Sequence, residues 1–208
     1  MDQKVTAFLN SLNKRNISGF FCQDKNEANL KILSLMPESS SVGISGSRTL
    51  DQLAVVEALE KRGNKVFNPY RPGLSREESL ELRRLGTQAD YYLASANAVS
   101  ESGEMVFFSG YGNRIAGISN AKNVLIVCGV NKITTSLDAA LKRAREYATP
   151  LNCKRLNWPS ACLTDGNCRQ EVCFSPEYKR MCAQILVIES EVVPGRLKVI
   201  LVGEELGF

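Results

Sequence analysis

Val5, Phe8, Leu9 and Leu12 fall on one face of a helical repeat and predict an amphipathic helix over residues 2–15. A second helix is expected over Lys25–Leu35, before Pro37 and the serines at 39–41 interrupt the chain. In 42-VGISGSRTLDQLAVVEALEKRG-63 a short apolar run meets a Gly/Ser turn. A helix follows with Leu50, Leu53, Val56 and Leu59 near one face and Gly63 as its terminator. Lys65–Asn68 reads as the next strand. Ser75, with Glu78 three residues on, forms a capping-box signature that opens a helix from Arg76 to Leu85.

Beyond residue 90 the pattern changes. DYYLA (Asp90–Ala94), Val99 and EMVFF (Glu104–Phe108) read as strands, the last two separated by 100-SESG-103. VLIV (Val124–Val127) is short, continuous and β-branched, the pattern of a core strand. A helix is expected over Thr135–Tyr147, capped by Thr134 or Thr135. An irregular cysteine-rich stretch follows from Pro150 to about residue 183. Two terminal strands, Ile185–Ile188 and Leu197–Val202, are joined by 191-EVVPGR-196. Alternating strands and helices predict an α/β fold with a mainly parallel sheet covered on both faces. The crowded strands of the second half add a mixed or antiparallel portion. No repeat or low-complexity linker appears, so residues 1–208 are read as one domain, with N-terminal helices over 1–36 and a cysteine-rich insertion over 150–183.

Composition narrows the chemistry. The formal net charge is +4, and acidic and basic residues are interleaved without a Lys/Arg stripe, which argues against nucleic acid and leaves an anionic small molecule compatible. The N-terminus reads as an amphipathic helix rather than a signal peptide, and no apolar run is long enough to cross a bilayer. A cytoplasmic location without membrane insertion is therefore expected, where structural disulfides are rare. The chain has no histidine, so Ser–His–Asp and Cys–His mechanisms and histidine metal sites are excluded.

Three constellations could carry chemistry. The turn 42-VGISGSRT-49 lies between a strand and a helix, where open α/β sheets bind ligands. Ser45, Gly46 and Ser47 offer donors and close backbone approach there, and Arg48 a charge. The same composition also serves an ordinary capped turn. In 95-SANAVSESGEMVFFSGYGNRIAGIS-119, glycine turns bracket a strand and place Glu101, Asn113 and Arg114 near its ends. Arg114 could clamp a carboxylate or phosphate, and a buried Glu101 could act as base or nucleophile; solvated hairpin charges are the bland alternative. The third is 161-ACLTDGNCRQEVCFSPEYKRMC-182, with Cys162, Cys168, Cys173 and Cys182. Four thiols in an irregular segment suit a zinc ion or an iron–sulfur cluster, with free thiols and disulfides as the other readings. Cys22 and Cys128 read as small buried apolar residues.

The blocks 97-NAVSESGEMVFFSGYGNRIAGISNAKNVLIVCGVNKI-133, 162-CLTDGNC-168 and 198-KVILVGEELGF-208, with the turn 44-ISGSRTLDQL-53, closely resemble the LUD-domain family of lactate-utilisation proteins. The resemblance covers nearly the whole chain. It implies a Rossmann-like sheet of the type shared by sugar-phosphate isomerases and coenzyme A transferases. It also implies a role in oxidising lactate or a related 2-hydroxy acid within a multi-subunit complex, beside an iron–sulfur partner subunit. Short family members run C-x5-C-x2-C before a Ser-Pro turn and a fourth cysteine; here the middle gap is four residues. Coenzyme A transferases of this fold use a glutamate in a Ser-Glu-Asn-Gly turn, which 100-SESG-103 resembles. That likeness offers Glu101 as nucleophile of a stand-alone enzyme on a coenzyme A-linked or phosphorylated substrate. A non-catalytic assembly subunit is the third alternative, and self-association is left open.

Overall fold

The computed structural model describes residues 3–174 and 176–208, so residue 2 of the first expected helix and Ser175 of the Ser-Pro turn lie outside it. The chain runs α1 (Gln3–Lys14), β1 (Ser18–Cys22), α2 (Lys25–Leu35), β2 (Ser41–Ile44), α3 (Arg48–Leu53), α4 (Val55–Arg62), β3 (Lys65–Phe67) and α5 (Arg76–Gly86). It continues through β4 (Tyr91–Ala94), β5 (Ala98–Ser100), β6 (Met105–Ser109), α6 (Asn113–Asn120), β7 (Asn123–Gly129) and β8 (Ile133–Thr134). The last elements are α7 (Leu137–Arg143), α8 (Thr149–Arg155), β9 (Gln184–Ile188) and β10 (Leu197–Val202).

A six-stranded sheet in the order β1-β10-β7-β4-β2-β3 is parallel throughout. Its central strands bury both faces, which explains their unbroken apolar runs. Along β7, Val124, Ile126 and Cys128 pack into one core, while Leu125 and Val127 pack into the other. On β10, Val199 and Leu201 alternate with Ile200 and Val202 in the same way. A smaller four-stranded sheet, β8-β5-β6-β9, holds the antiparallel pairings. α7 covers it through Ala140, which packs with Val106 and Phe108. The α/β class and the mainly parallel sheet are as expected from the pattern.

Three local features differ from expectation, and the partners of the last two strands are new. The helix expected from the Gly/Ser turn to Gly63 is broken at Ala54, which is left-handed at φ 50°. Leu53 and Val55 are both fully buried, and a continuous helix would set them about 200° apart; the break re-aims the second segment. The helix expected to end at Tyr147 instead passes through a wide π turn, Ala144–Ala148, and continues as α8. Pro150 sits in the first turn of α8, where its missing N–H costs little. Ser136, rather than Thr134 or Thr135, caps α7. The two terminal strands do not pair: β9 lies antiparallel on β6, and β10 is inserted between β1 and β7. Burial explains this, because β10 is buried along nearly its whole length whereas β9 is exposed or half-buried, as an edge strand is.

Candidate functional site

A cavity of about 680 Å³ opens at the carboxyl end of β2, where the two sheets meet. Ser45, Gly46 and Ser47 of the β2–α3 turn line it, as do Asn113 and Arg114 at the start of α6. The sequence motif GYGNR builds that start: Gly112 adopts φ 80°, and no side chain caps the helix. The first turn of α6 therefore leaves backbone N–H groups without helical acceptors facing the cavity region. Gly46 is needed for closeness, since a Cβ there would stand 3.0 Å from the Tyr70 ring.

Arg114 ties the walls together. Nη1 donates to Asn97 Oδ1 at 3.0 Å and to the Phe108 carbonyl at 3.1 Å, and Nη2 donates to the Gly46 carbonyl at 2.7 Å. All three acceptors are neutral, and among the described residues no carboxylate pairs with it. Burial lowers its guanidinium below the ordinary value, yet arginine stays charged. Three of its five N–H donors are used, which leaves two for a ligand. Beside it Ser45 is 2% exposed, and its Oγ has no hydrogen-bond partner. An orphaned buried hydroxyl costs roughly 1–3 kcal/mol unless something satisfies it.

The remaining charges are unevenly matched. Arg71 pairs with Glu60 at 2.6 Å and Arg155 with Asp51 at 3.8 Å. Burial raises the Asp51 carboxyl, against the pull of Arg155 and Arg48. Arg83 has no carboxylate among the described residues; it lies over the Tyr70 and Tyr111 rings at 4.9 and 5.0 Å. Tyr111 meets Trp158 edge to face at 5.7 Å, which completes an aromatic rim. Asn97, Tyr70, Arg83, Tyr111, Arg155 and Trp158 escaped sequence reading, because four lie in loops and two on separate helices, α5 and α8, and only the fold gathers them.

The cysteine run forms a second, smaller cavity. Cys162, Cys168, Cys173 and Cys182 line it with Arg145, Arg169 and Arg180. All seven cysteines are free thiols, and Ser160 Oγ lies 3.2 Å from Cys162 Sγ. Among the described residues no three of His, Cys, Asp or Glu are gathered as ligands of one ion. Cys22 and Cys128 lie in the sheet cores, and burial pushes the Cys22 thiol up to about 11.

The family profile of the LUD domain matches residues 5–202. The chain belongs to the LUD-domain family. Among solved structures, a DUF162 family protein from Deinococcus radiodurans, DUF162 being the former name of this domain, is similar over 97% of both chains. It has 12% identity and a TM-score of 0.54, a likeness of fold. Ribose 5-phosphate isomerase A from Neisseria gonorrhoeae is similar over 54% of both chains, with 19% identity and a TM-score of 0.37. A comparison with curated proteins returned no match.

Two residues singled out in the sequence stand apart from the cavity of this LUD-domain protein. Arg48, at the start of α3, is exposed and does not line it. Glu101 is placed beyond the far end of β5, about 13 Å along the strand from Asn97, and pairs with Lys4 at 3.9 Å. The neighbouring Glu104 is the better-buried carboxylate. Burial pushes it up, but hydrogen bonds from Ser100 and Ser102 and the charge of Arg15 outweigh that and hold it below its usual value. Arg15 Nε also donates to the Ser102 carbonyl at 2.6 Å, so the SESG turn is clamped to α1. Lys132, just after β7, is a further buried charge. Its Nζ donates to Thr49 Oγ1 at 2.9 Å, Ser95 Oγ at 2.8 Å and the Ala96 carbonyl at 3.0 Å. Burial lowers its amine to about 8. No described helix is long and apolar enough to cross a membrane.

Proposed function

We propose that this LUD-domain protein supports oxidation of lactate or a related 2-hydroxy acid, binding the acid as its anion between the two sheets. The observation that carries the reading is Arg114, a half-buried cation with neutral partners and two spare donors, beside the unpartnered Ser45 hydroxyl. A carboxylate matches a guanidinium edge with two parallel N–H···O bonds, and a 2-hydroxyl or carbonyl oxygen would meet the Ser45 side. At about 680 Å³ the cavity exceeds a three-carbon acid, which suits a subunit that meets a second reactant or a partner's cofactor there. Family membership supports a place in a multi-protein complex beside an iron–sulfur partner subunit.

The test is calorimetric titration of the purified chain with L-lactate and pyruvate. Arg114→Met is expected to weaken binding roughly 10- to 100-fold, the loss of a charge-assisted pair. Arg114→Lys, which keeps the charge but not the two-donor edge, should recover only part of it. Absence of lactate and pyruvate binding to the wild type, or unchanged affinity in Arg114→Met, overturns the reading.

A further inference from the structure

We propose that Cys162, Cys168, Cys173 and Cys182 hold an iron–sulfur cluster whose presence fixes the wall shared by the cysteine nest and the anion cavity. The wall's effect on ligand binding rests on the preceding reading of that cavity; the cluster itself does not.

The first argument is the segment's lack of any other core. The described residues of 156–183 are irregular apart from one short turn, Ala161–Leu163. Between Leu163 and Met181, Cys173 is the only buried residue among those described, while Val172 and Phe174 face solvent. Ordering a residue costs about 1–2 kcal/mol of conformational entropy, and nothing apolar repays it here. Long structureless loops inside a domain call for a staple. Apart from Ser160 and Ala161 beside that turn, the interior groups this segment offers are thiols, and all are free.

The second argument is the donor set. Four thiols from separate turns line one cavity, and Arg145 lines it with an Nε that is buried without a hydrogen-bond partner. Arg180 lines it too, whereas Arg169 is held by Asp165. A cluster ligated by four thiolates carries net negative charge and accepts N–H bonds at its sulfurs, which answers both the arginines and the orphaned Nε. The thiols surround the cavity without three of them converging as ligands of one ion. A single zinc ion needs that convergence, with Zn–S bonds of about 2.3 Å, whereas a cluster offers separate irons to separate thiolates.

The third argument is contiguity. Thr149 and Met181 line both cavities. Met181 directly precedes Cys182, and Trp158, on the anion-cavity side, donates its indole N–H to the Lys179 carbonyl. Anchoring the cysteines therefore fixes Met181 and Trp158.

The experiment uses the full chain, expressed with iron and zinc supplied and purified anaerobically. Stoichiometric iron and sulfide with visible absorption are expected, lost in Cys168→Ser and Cys173→Ser. Chelator-stripped wild type is expected to show a red-shifted emission of Trp158, the sole tryptophan, and faster tryptic cleavage at Arg169, Lys179 and Arg180. Zinc alone, or no metal, overturns the cluster; stripping that changes neither emission nor cleavage overturns the fixed wall. L-Lactate titrated into loaded and stripped protein separates the two readings. Loaded protein that ignores lactate sinks the anion-cavity reading and leaves the cluster standing. Equal affinity in both forms overturns the coupling.

Discussion

Ser45 and Lys132 are buried polar residues on either side of one turn, and they stand in opposite conditions. The Ser45 hydroxyl lacks a partner; the Lys132 ammonium has three. Removing the hydroxyl breaks no internal bond, so Ser45→Ala should leave unfolding free energy unchanged or slightly higher. Affinity for the acid anion should fall about 3- to 10-fold, the worth of one hydrogen bond. Denaturant melts and calorimetry on the same preparation check both halves. Lys132 predicts a pH effect. Its folded value, about 8, lies below the ordinary 10.5. Between those values the unfolded chain holds a proton the folded one has released, so stability from this group rises with pH. Buried thiols such as Cys22, raised to about 11, act in the opposite sense above their ordinary 9.0. The difference between wild type and Lys132→Met cancels them. That difference should move in favour of the wild type by about 1 kcal/mol from pH 8 to pH 9, read from urea melts at the two values.

At the level of elements, strands and capped helices were legible because their signals are local. The capping box at Ser75 and Glu78 forms as its spacing requires. VLIV is the core of β7. What local pattern could not carry is choice of partner. Leu197–Val202 reads as a strand whichever sheet receives it, and only burial on both faces places it between β1 and β7. β1, SGFFC, shows neither an unbroken aliphatic run nor an alternation, and four of its five residues are only half-buried. α6 hides because Gly110 and Gly112 read as a turn and no Ser, Thr, Asp or Asn caps it; the same uncapped start brings Asn113 and Arg114 to the cavity. The break at Ala54 is likewise tertiary, and it predicts a stabilising substitution. A left-handed backbone is strained for alanine but not for glycine, so Ala54→Gly should raise the unfolding free energy by about 0.5–1 kcal/mol despite its greater chain entropy. A thermal melt that moves downward instead would show that the added chain entropy outweighs any strain relieved at Ala54.

Across the whole molecule, the cavity is a seam. Gly46 follows β2 of the large sheet, whereas Phe108 belongs to β6 of the small one, and Arg114 donates to both backbones. An anion seated on Arg114 therefore binds the arrangement of the two sheets and not either sheet alone. Mass action then links binding to stability: a ligand that recognises only the folded seam adds about 2.7 kcal/mol when present at 100 times its dissociation constant. If the sheets unfold as one unit, that increment should appear in hydrogen exchange of amides in β7 and β6 alike. In Arg114→Met, with binding roughly 10- to 100-fold weaker, it should shrink to about 0.4–1.4 kcal/mol in both together, because the bridging cation is lost. Protection confined to β6 and its neighbours would mean that the small sheet opens independently and that the anion is held by one side of the seam.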